Sequence, residues 1–139
     1  MLKQICFFRK RPDMTAEEFM DYYENHHSKL GQKIGKSSMP NAVRYVRRYL
    51  TPVKNPVTGE VHDPGYDCVM EIWWNRREDF EASQAIVADP ARLPFTEEDE
   101  TKLFATHANP VCLIEEECDS PVGPDNVIYD WVPVARTGS

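Results

Sequence analysis

A chain of 139 residues fits a single domain and is long enough to close one core but not two. Its 41% hydrophobic and 28% charged residues are those of an ordinary globular protein. A formal net charge of -7 excludes a general affinity for nucleic acid or anionic membrane surfaces, since neither counterion release nor surface attraction favours an acidic chain.

The first expected element is a strand over Leu2 to Arg9, where Ile5, Cys6, Phe7 and Phe8 are good strand formers. Arg11-Pro12-Asp13 breaks it. Thr15 with Glu18 three residues on makes a capping box, and Phe19, Tyr23, His26 or His27, Leu30 and Ile34 then recur at helical spacing up to Gly35 and Pro40. Asn41 to Leu50 reads as a second strand and Tyr66 to Trp74 as a third. The connection between them, Thr51 to Gly65, is long enough to be functional or mobile. Arg77 to Val87 predicts a second helix, Thr96 with Asp99 a short one running to Phe104, and Pro110 to Glu116 a fourth strand. The order is β-α-β-β-α-β, the split βαβ arrangement of an α+β, ferredoxin-like unit over residues 1–118. Residues 119–139 differ. Pro121, Gly123, Pro124 and Pro133 forbid a regular core element, yet Val127, Ile128, Tyr129, Trp131, Val132 and Val134 are apolar. Such an arm is expected to lie on its own domain or on a partner subunit, with Thr137-Gly138-Ser139 as a disordered end.

No apolar run approaches the roughly 20 residues that span a bilayer, and Met1 to Lys10 has no signal-peptide pattern, so the cytoplasm is the expected compartment. Cys6, Cys68, Cys112 and Cys118 form no CxxC pair, and three of the four are expected to be buried strand residues. In the third strand, Cys68, Met70, Ile72 and Trp74 suit packing under helices. The alternate set, Asp67, Val69, Glu71 and Trp73, mixes carboxylates with apolar bulk and suits a lined cavity between two facing sheets. That face predicts a homodimer.

These residues carry a resemblance. Phe8-Arg9-Lys10-Arg11-Pro12 followed by Met14 to Phe19 resembles the opening of EthD-domain proteins. Tyr22-Tyr23-Glu24-Asn25-His26-His27 resembles that family's first helix, in which an aromatic pair precedes a histidine, here His27. Tyr66 to Trp74 resembles its third strand, and Asp99-Glu100, Phe104 and Glu115-Glu116 its last part, so the likeness covers roughly Lys3 to Glu116. It implies a dimeric α+β barrel. The better-understood members look like dehydratases and decarboxylases of aromatic polyketides. The arm lies outside the family pattern.

His27 is the leading candidate for general base or acid, because an imidazole exchanges protons near neutral pH and the family places a histidine there. Tyr23, four residues earlier, shares its helix face and would orient a substrate. Asp67 or Glu71 would be the partner of His27 or a second acid, since a carboxylate in an apolar pocket can work as either. Trp73 would be a stacking wall. Tyr45 would hydrogen-bond a phenol oxygen and Arg47 would stabilise developing negative charge. His26, a further candidate for substrate binding, lies about 100° round the helix from His27, so the two do not converge on a metal. His62 and His107 are weaker candidates. No GxGxxG, Walker loop or Gly-x-Ser-x-Gly occurs, so no cofactor is expected. The reading is a cofactor-independent lyase for a hydrophobic aromatic or phenolic molecule, by dehydration, decarboxylation or retro-aldol cleavage. The alternatives are a cofactor-free oxygenase of phenols and a non-catalytic protein that binds an aromatic ligand.

Overall fold

The alternation of the first segment becomes strand β1, Leu2–Phe8. Leu2, Gln4, Cys6 and Phe8 turn inward, each buried. β1 is central: it pairs antiparallel with β3, Cys68–Trp74, on one side and with β4, Val111–Ile114, on the other. β2, Ala42–Tyr49, completes the sheet against β3, with a register irregularity between Ala42 and Arg44. The order β2-β3-β1-β4 is that of the ferredoxin-like α+β fold. The computed structural model describes residues 1–134, so the expected loose end Thr137-Gly138-Ser139 lies outside the described residues.

Helix α1, Ala16–Asn25, begins where the capping box requires: the Thr15 hydroxyl accepts from the Glu18 amide while the Glu18 carboxylate accepts from the Thr15 amide. The helix does not run through to Ile34 as its periodicity predicts. The chain leaves α-helical geometry at His26, makes a 3-10 turn over His27–Lys29, and resumes as α2, Leu30–Lys33. No Pro or Gly marks the break in the sequence. Its counterpart is a tertiary contact made by His27, which local spacing does not encode.

Helix α3, Arg77–Ala88, and helix α4, Leu93–Thr101, complete the layer on the inner face. α4 starts earlier than expected. Pro94 sits in its first turn, where a missing N–H costs nothing, so Thr96 is an interior residue and not a cap. The core between sheet and helices holds Phe19, Tyr23, Cys68, Trp74 and Leu103, all fully buried. The inward set of β3 is the expected one, Cys68, Met70, Ile72 and Trp74. Two cysteines are buried, not three: Cys6 and Cys68 lie in the core, while Cys112 points outward from edge strand β4 and Cys118 is exposed.

The long connection is tied down. Arg9 makes a two-pronged ion pair with Asp63 at 2.8 Å, and the Asn55 side chain accepts the Val57 amide at 2.8 Å to close a tight turn. The C-terminal arm is a small hairpin, β5, Cys118–Asp119, against β6, Val132–Pro133. Ile128 and Trp131 remain 70% and 58% exposed, so the arm does not bury its apolar residues on its own domain. Among the described residues no helix is long and apolar enough to cross a membrane.

Candidate active site

A cavity of about 450 Å³ lies between the inner face of the sheet and the helix layer. Its floor comes from the inward residues of β1 and β3, including Gln4, Cys6, Met70 and Ile72, and His27 stands in its wall. The cavity is therefore on the helix side of the sheet, not between two sheets. The reason is the pleat: inward residues of a strand share one face with period two, and Glu71 and Trp73 belong to the other set.

The His27 ring is held from both sides. Its edge-on neighbours are Tyr23, with ring centroids 4.8 Å apart, and Phe104 at 5.2 Å. Its Nδ1 lies 2.6 Å from Asp99 Oδ2, and the Tyr22 hydroxyl donates to the other oxygen, Oδ1, at 2.7 Å. Only 15% of the His27 side chain and 9% of the Asp99 side chain are exposed. Burial by itself would raise the Asp99 pKa, but hydrogen bonds from His27 and Tyr22 outweigh it and hold the carboxyl below its ordinary value. Asp99 is thus an ionised acceptor, so Nδ1 must carry the proton. In the neutral tautomer this leaves the lone pair on Nε2, which makes no hydrogen bond to the described residues. A carboxylate that fixes one tautomer and leaves the other nitrogen free is the arrangement of a general base.

The remaining expected residues divide between the two faces. Tyr23 and Tyr45 both line the cavity, and the Tyr45 hydroxyl donates to that of Tyr23 at 3.0 Å. Burial raises the Tyr23 pKa well above the ordinary phenol value and pushes that of Tyr45 up to about 12, so both remain protonated donors. Glu71, Asp67 and Trp73 are not with His27. Glu71 accepts from Trp73 Nε1 at 2.7 Å and faces Arg48 at 3.5 Å on the outer side. Lys3 and Arg44 stack over the Trp73 ring, 4.8 and 5.0 Å from its centroid. Asp67 accepts the Lys10 amide at 2.9 Å, a loop-anchoring bond. The expected pairing of His27 with Asp67 or Glu71 is therefore corrected to Asp99. Arg47 stacks on Tyr45 and pairs with Glu24, which also accepts from the Tyr49 hydroxyl at 2.6 Å. His26 is exposed beside Lys33 Nζ at 3.1 Å. His62 bonds Thr58 in the long connection, and His107 reaches the cavity rim paired with Glu100 at 2.9 Å. Among the described residues no three His, Cys, Asp or Glu converge as metal ligands.

Sequence reasoning missed Asp99, Tyr22, Arg92 and Thr96. Asp99 lies 72 residues from His27, and as a helix-capping residue it had a sufficient local explanation. A usable signal for Arg92, Thr96 and Glu100 was their i, i+4, i+8 spacing, which puts them on one face of α4, the face that lines the cavity.

Two of the carboxyls held below their ordinary values, Glu24 and Asp99, contribute to an acid limb in stability. The Arg47 guanidinium, helped by Tyr49, holds Glu24 below its ordinary value against the opposing effect of burial. Glu24 and Asp99 bind protons less readily folded than unfolded, so their contribution is complete above about pH 5 and is lost as pH falls through the lowered folded values. Thermal melts across pH 2–7 are expected to show this loss, and the Glu24→Gln, Asp99→Asn double variant a shallower limb. An unaltered limb in the double variant would contradict the assignment.

Residues 11–107 match the EthD domain family. Comparison with curated proteins finds no match. Among solved structures the chain is similar to an ethyl tert-butyl ether d (EthD) family protein from Bacillus halodurans C-125, with TM-score 0.52 and 20% identity over 84% of this chain and 99% of that one. It is also similar to a dimeric ferredoxin-like protein of unknown function from Thermobifida fusca YX, TM-score 0.48, 15% identity, over 81% of this chain and 88% of that one. A third is the hydroxynitrile lyase of Passiflora edulis, TM-score 0.47, 16% identity, over 81% and 92%.

Proposed function

The chain belongs to the EthD-domain family, and from that premise we propose that it is a cofactor-independent lyase acting on a hydrophobic aromatic or phenolic molecule. The observation that carries the reading is the Tyr22–Asp99–His27 chain in the wall of a cavity with a largely apolar floor, with Nε2 making no hydrogen bond to the described residues. In this reading Nε2 removes a proton from the substrate. The imidazolium so formed is stabilised by Asp99. It returns the proton to the leaving hydroxyl in a dehydration, or to the carbanion left by loss of carbon dioxide or a small aldehyde. The Tyr45 hydroxyl, whose proton goes to Tyr23, would accept a hydrogen bond from a phenolic hydroxyl of the substrate.

Mass spectrometry of a panel of hydroxylated aromatics, incubated with and without oxygen, tests the reaction type. Anaerobic loss of water, carbon dioxide or an aldehyde supports the lyase. Turnover that requires oxygen would replace it with a cofactor-free oxygenase, and saturable binding with every compound recovered unchanged would replace it with a ligand-binding protein.

The protein is also proposed to be a homodimer joined through the outer sheet face. That face mixes Ile5, Phe7 and Trp73 with Lys3, Glu71 and Arg48, and the arm of the same chain leaves Ile128 and Trp131 exposed. Light scattering at micromolar concentration is expected to give twice the chain mass, and a monomer would refute the proposal.

A further inference from the structure

The C-terminal arm has a built shape. Inside the β5–β6 pair the Gly123 amide donates to the Val127 carbonyl at 2.7 Å and the Tyr129 amide to that of Pro121 at 2.9 Å. A Cβ at position 123 would stand 2.4 Å from the Tyr129 ring, so only a glycine lets that ring close over the turn. A shape formed in advance keeps the ordering cost of docking low. Yet Val122, Ile128, Tyr129, Trp131 and Val132 all stand exposed along the arm. So many large apolar side chains on one short element mark a docking surface. Its charge is one-sided: residues 119–134 contain Asp119, Asp125 and Asp130, all exposed, and no Lys, Arg or His.

The root of the arm is fixed at one edge of the outer sheet face, just past edge strand β4, where Glu117 pairs with Lys3 at 3.0 Å. Strand β2, at the opposite edge, has the complementary character. Arg44 and Arg48 share the outward set of β2 and are exposed, and Val43 and Leu50 are exposed near its two ends. The apolar rim continues through exposed Val53, Val57 and Val61 of the connection that follows. The outward set of the four strands carries Lys3, Arg44 and Arg48 against Glu71 alone. Three positive charges less one negative leave this face at +2, on a chain whose formal net charge is -7.

An acidic, apolar arm and a basic, apolar rim thus lie at opposite edges of one sheet, and the arm does not cross to its own rim. Two sheets packed face to face can be related by a two-fold axis along the strands or across them. The first sets the β4 edge of one protomer against the β2 edge of the other. The second sets β4 on β4 and brings two acidic arms together. Charge complementarity selects the first. We infer that each protomer lays its arm, residues 118–134, along the β2 edge of a second copy of the chain, its aspartates against the partner's Arg44 and the partner's Arg48 and its apolar side chains over that rim. Stacked sheets lie about 10 Å apart, well within the length of a hairpin whose limbs run about eight residues. The inference rests on the homodimer proposed above and adds which edges meet and what the arm does there. The contact is isologous, so it occurs twice in each dimer.

The test is a charge swap in the full chain, read as the dimer dissociation constant by light scattering over a dilution series. One variant reverses the arm, Asp119→Arg with Asp130→Arg. Asp125 is left alone because its φ of 60° suits an aspartate. The other reverses the rim, Arg44→Glu. Each alone is expected to dimerise about 10-fold more weakly than the wild type, since the change falls on both symmetry-related contacts. In a mixture of the two, the reversed arm meets the reversed rim and the native arm meets the native rim. Native mass spectrometry should therefore show the mixed dimer well above the half expected from random pairing. Trp131→Ser, which leaves every charge in place, should weaken the dimer by roughly 10- to 100-fold. Variants that dimerise as tightly as the wild type overturn the arm's placement and leave the homodimer standing. Weakened variants whose mixture pairs at random overturn the pairing of arm with rim. A wild-type monomer removes the homodimer and the inference together. Thermal melts report whether each variant folds, and Trp131→Ser keeps the inference open to refutation where a charge variant does not.

Discussion

Asp99→Asn is expected to lower turnover by roughly 10²- to 10⁴-fold, the scale set by losing an oriented general base. The substitution keeps the volume of the side chain and its hydrogen bond to Tyr22. It changes the partner of His27 from an ionised acceptor, 2.6 Å from Nδ1, to an amide that can instead offer an N–H. Nδ1 then no longer has to carry the proton, and the lone pair on Nε2 can be exchanged for an N–H. Binding should suffer little, because Asp99 points at His27 and Tyr22 and not at the ligand. The predicted signature is a fall in kcat with KM nearly unchanged. A fall confined to KM would mean that Asp99 shapes the cavity and does not serve the base. Tyr22→Phe, which removes one of the two donors to Asp99, should give a smaller loss in the same parameter.

Trp74→Ala should cost about 3–5 kcal/mol of folding stability, the usual range for truncating a buried large aromatic. Trp74 is fully buried in β3, opposite Leu2 on one neighbouring strand and Ala42 on the other. Its Nε1–H donates to Gln4 Oε1 at 3.2 Å, so truncation leaves both a cavity and an unpaired buried amide oxygen. Against a total stability of about 5–15 kcal/mol for a typical domain, this is a large fraction. Urea titration of the two proteins measures it. A difference below about 1 kcal/mol would show that the core collapses around the loss more completely than close packing allows.

The parts of this fold that were legible from sequence are those governed by local rules. The Thr15–Glu18 capping box places the start of α1 to the residue, and the inward set Cys68, Met70, Ile72 and Trp74 was readable from strand alternation. The ferredoxin-like unit followed from the order of elements along the chain. What was not legible arises from contacts between distant segments. Alternation identified two faces of β3 but not which face holds the cavity, so Glu71 and Trp73 were placed beside His27 while their observed neighbours are Arg48, Lys3 and Arg44. The break at His26 has no Pro or Gly to announce it. Thr96 and Asp99 have the spacing of a cap, and that adequate local reading concealed one residue that faces the cavity and another that pairs with His27. Arg92 is one of 16 basic residues in the sequence, and only burial distinguishes it from the others.

The measurement that bears most directly on the account is the single-turnover rate of wild type and His27→Ala, without oxygen, on whichever aromatic the mass-spectrometric panel identifies, with the fold of the variant checked by thermal melt. The account predicts a loss of roughly 10²- to 10⁴-fold with ligand affinity largely retained. A rate unchanged in a folded His27→Ala protein would contradict it, because the one free imidazole nitrogen on the cavity wall would then have no part in the chemistry.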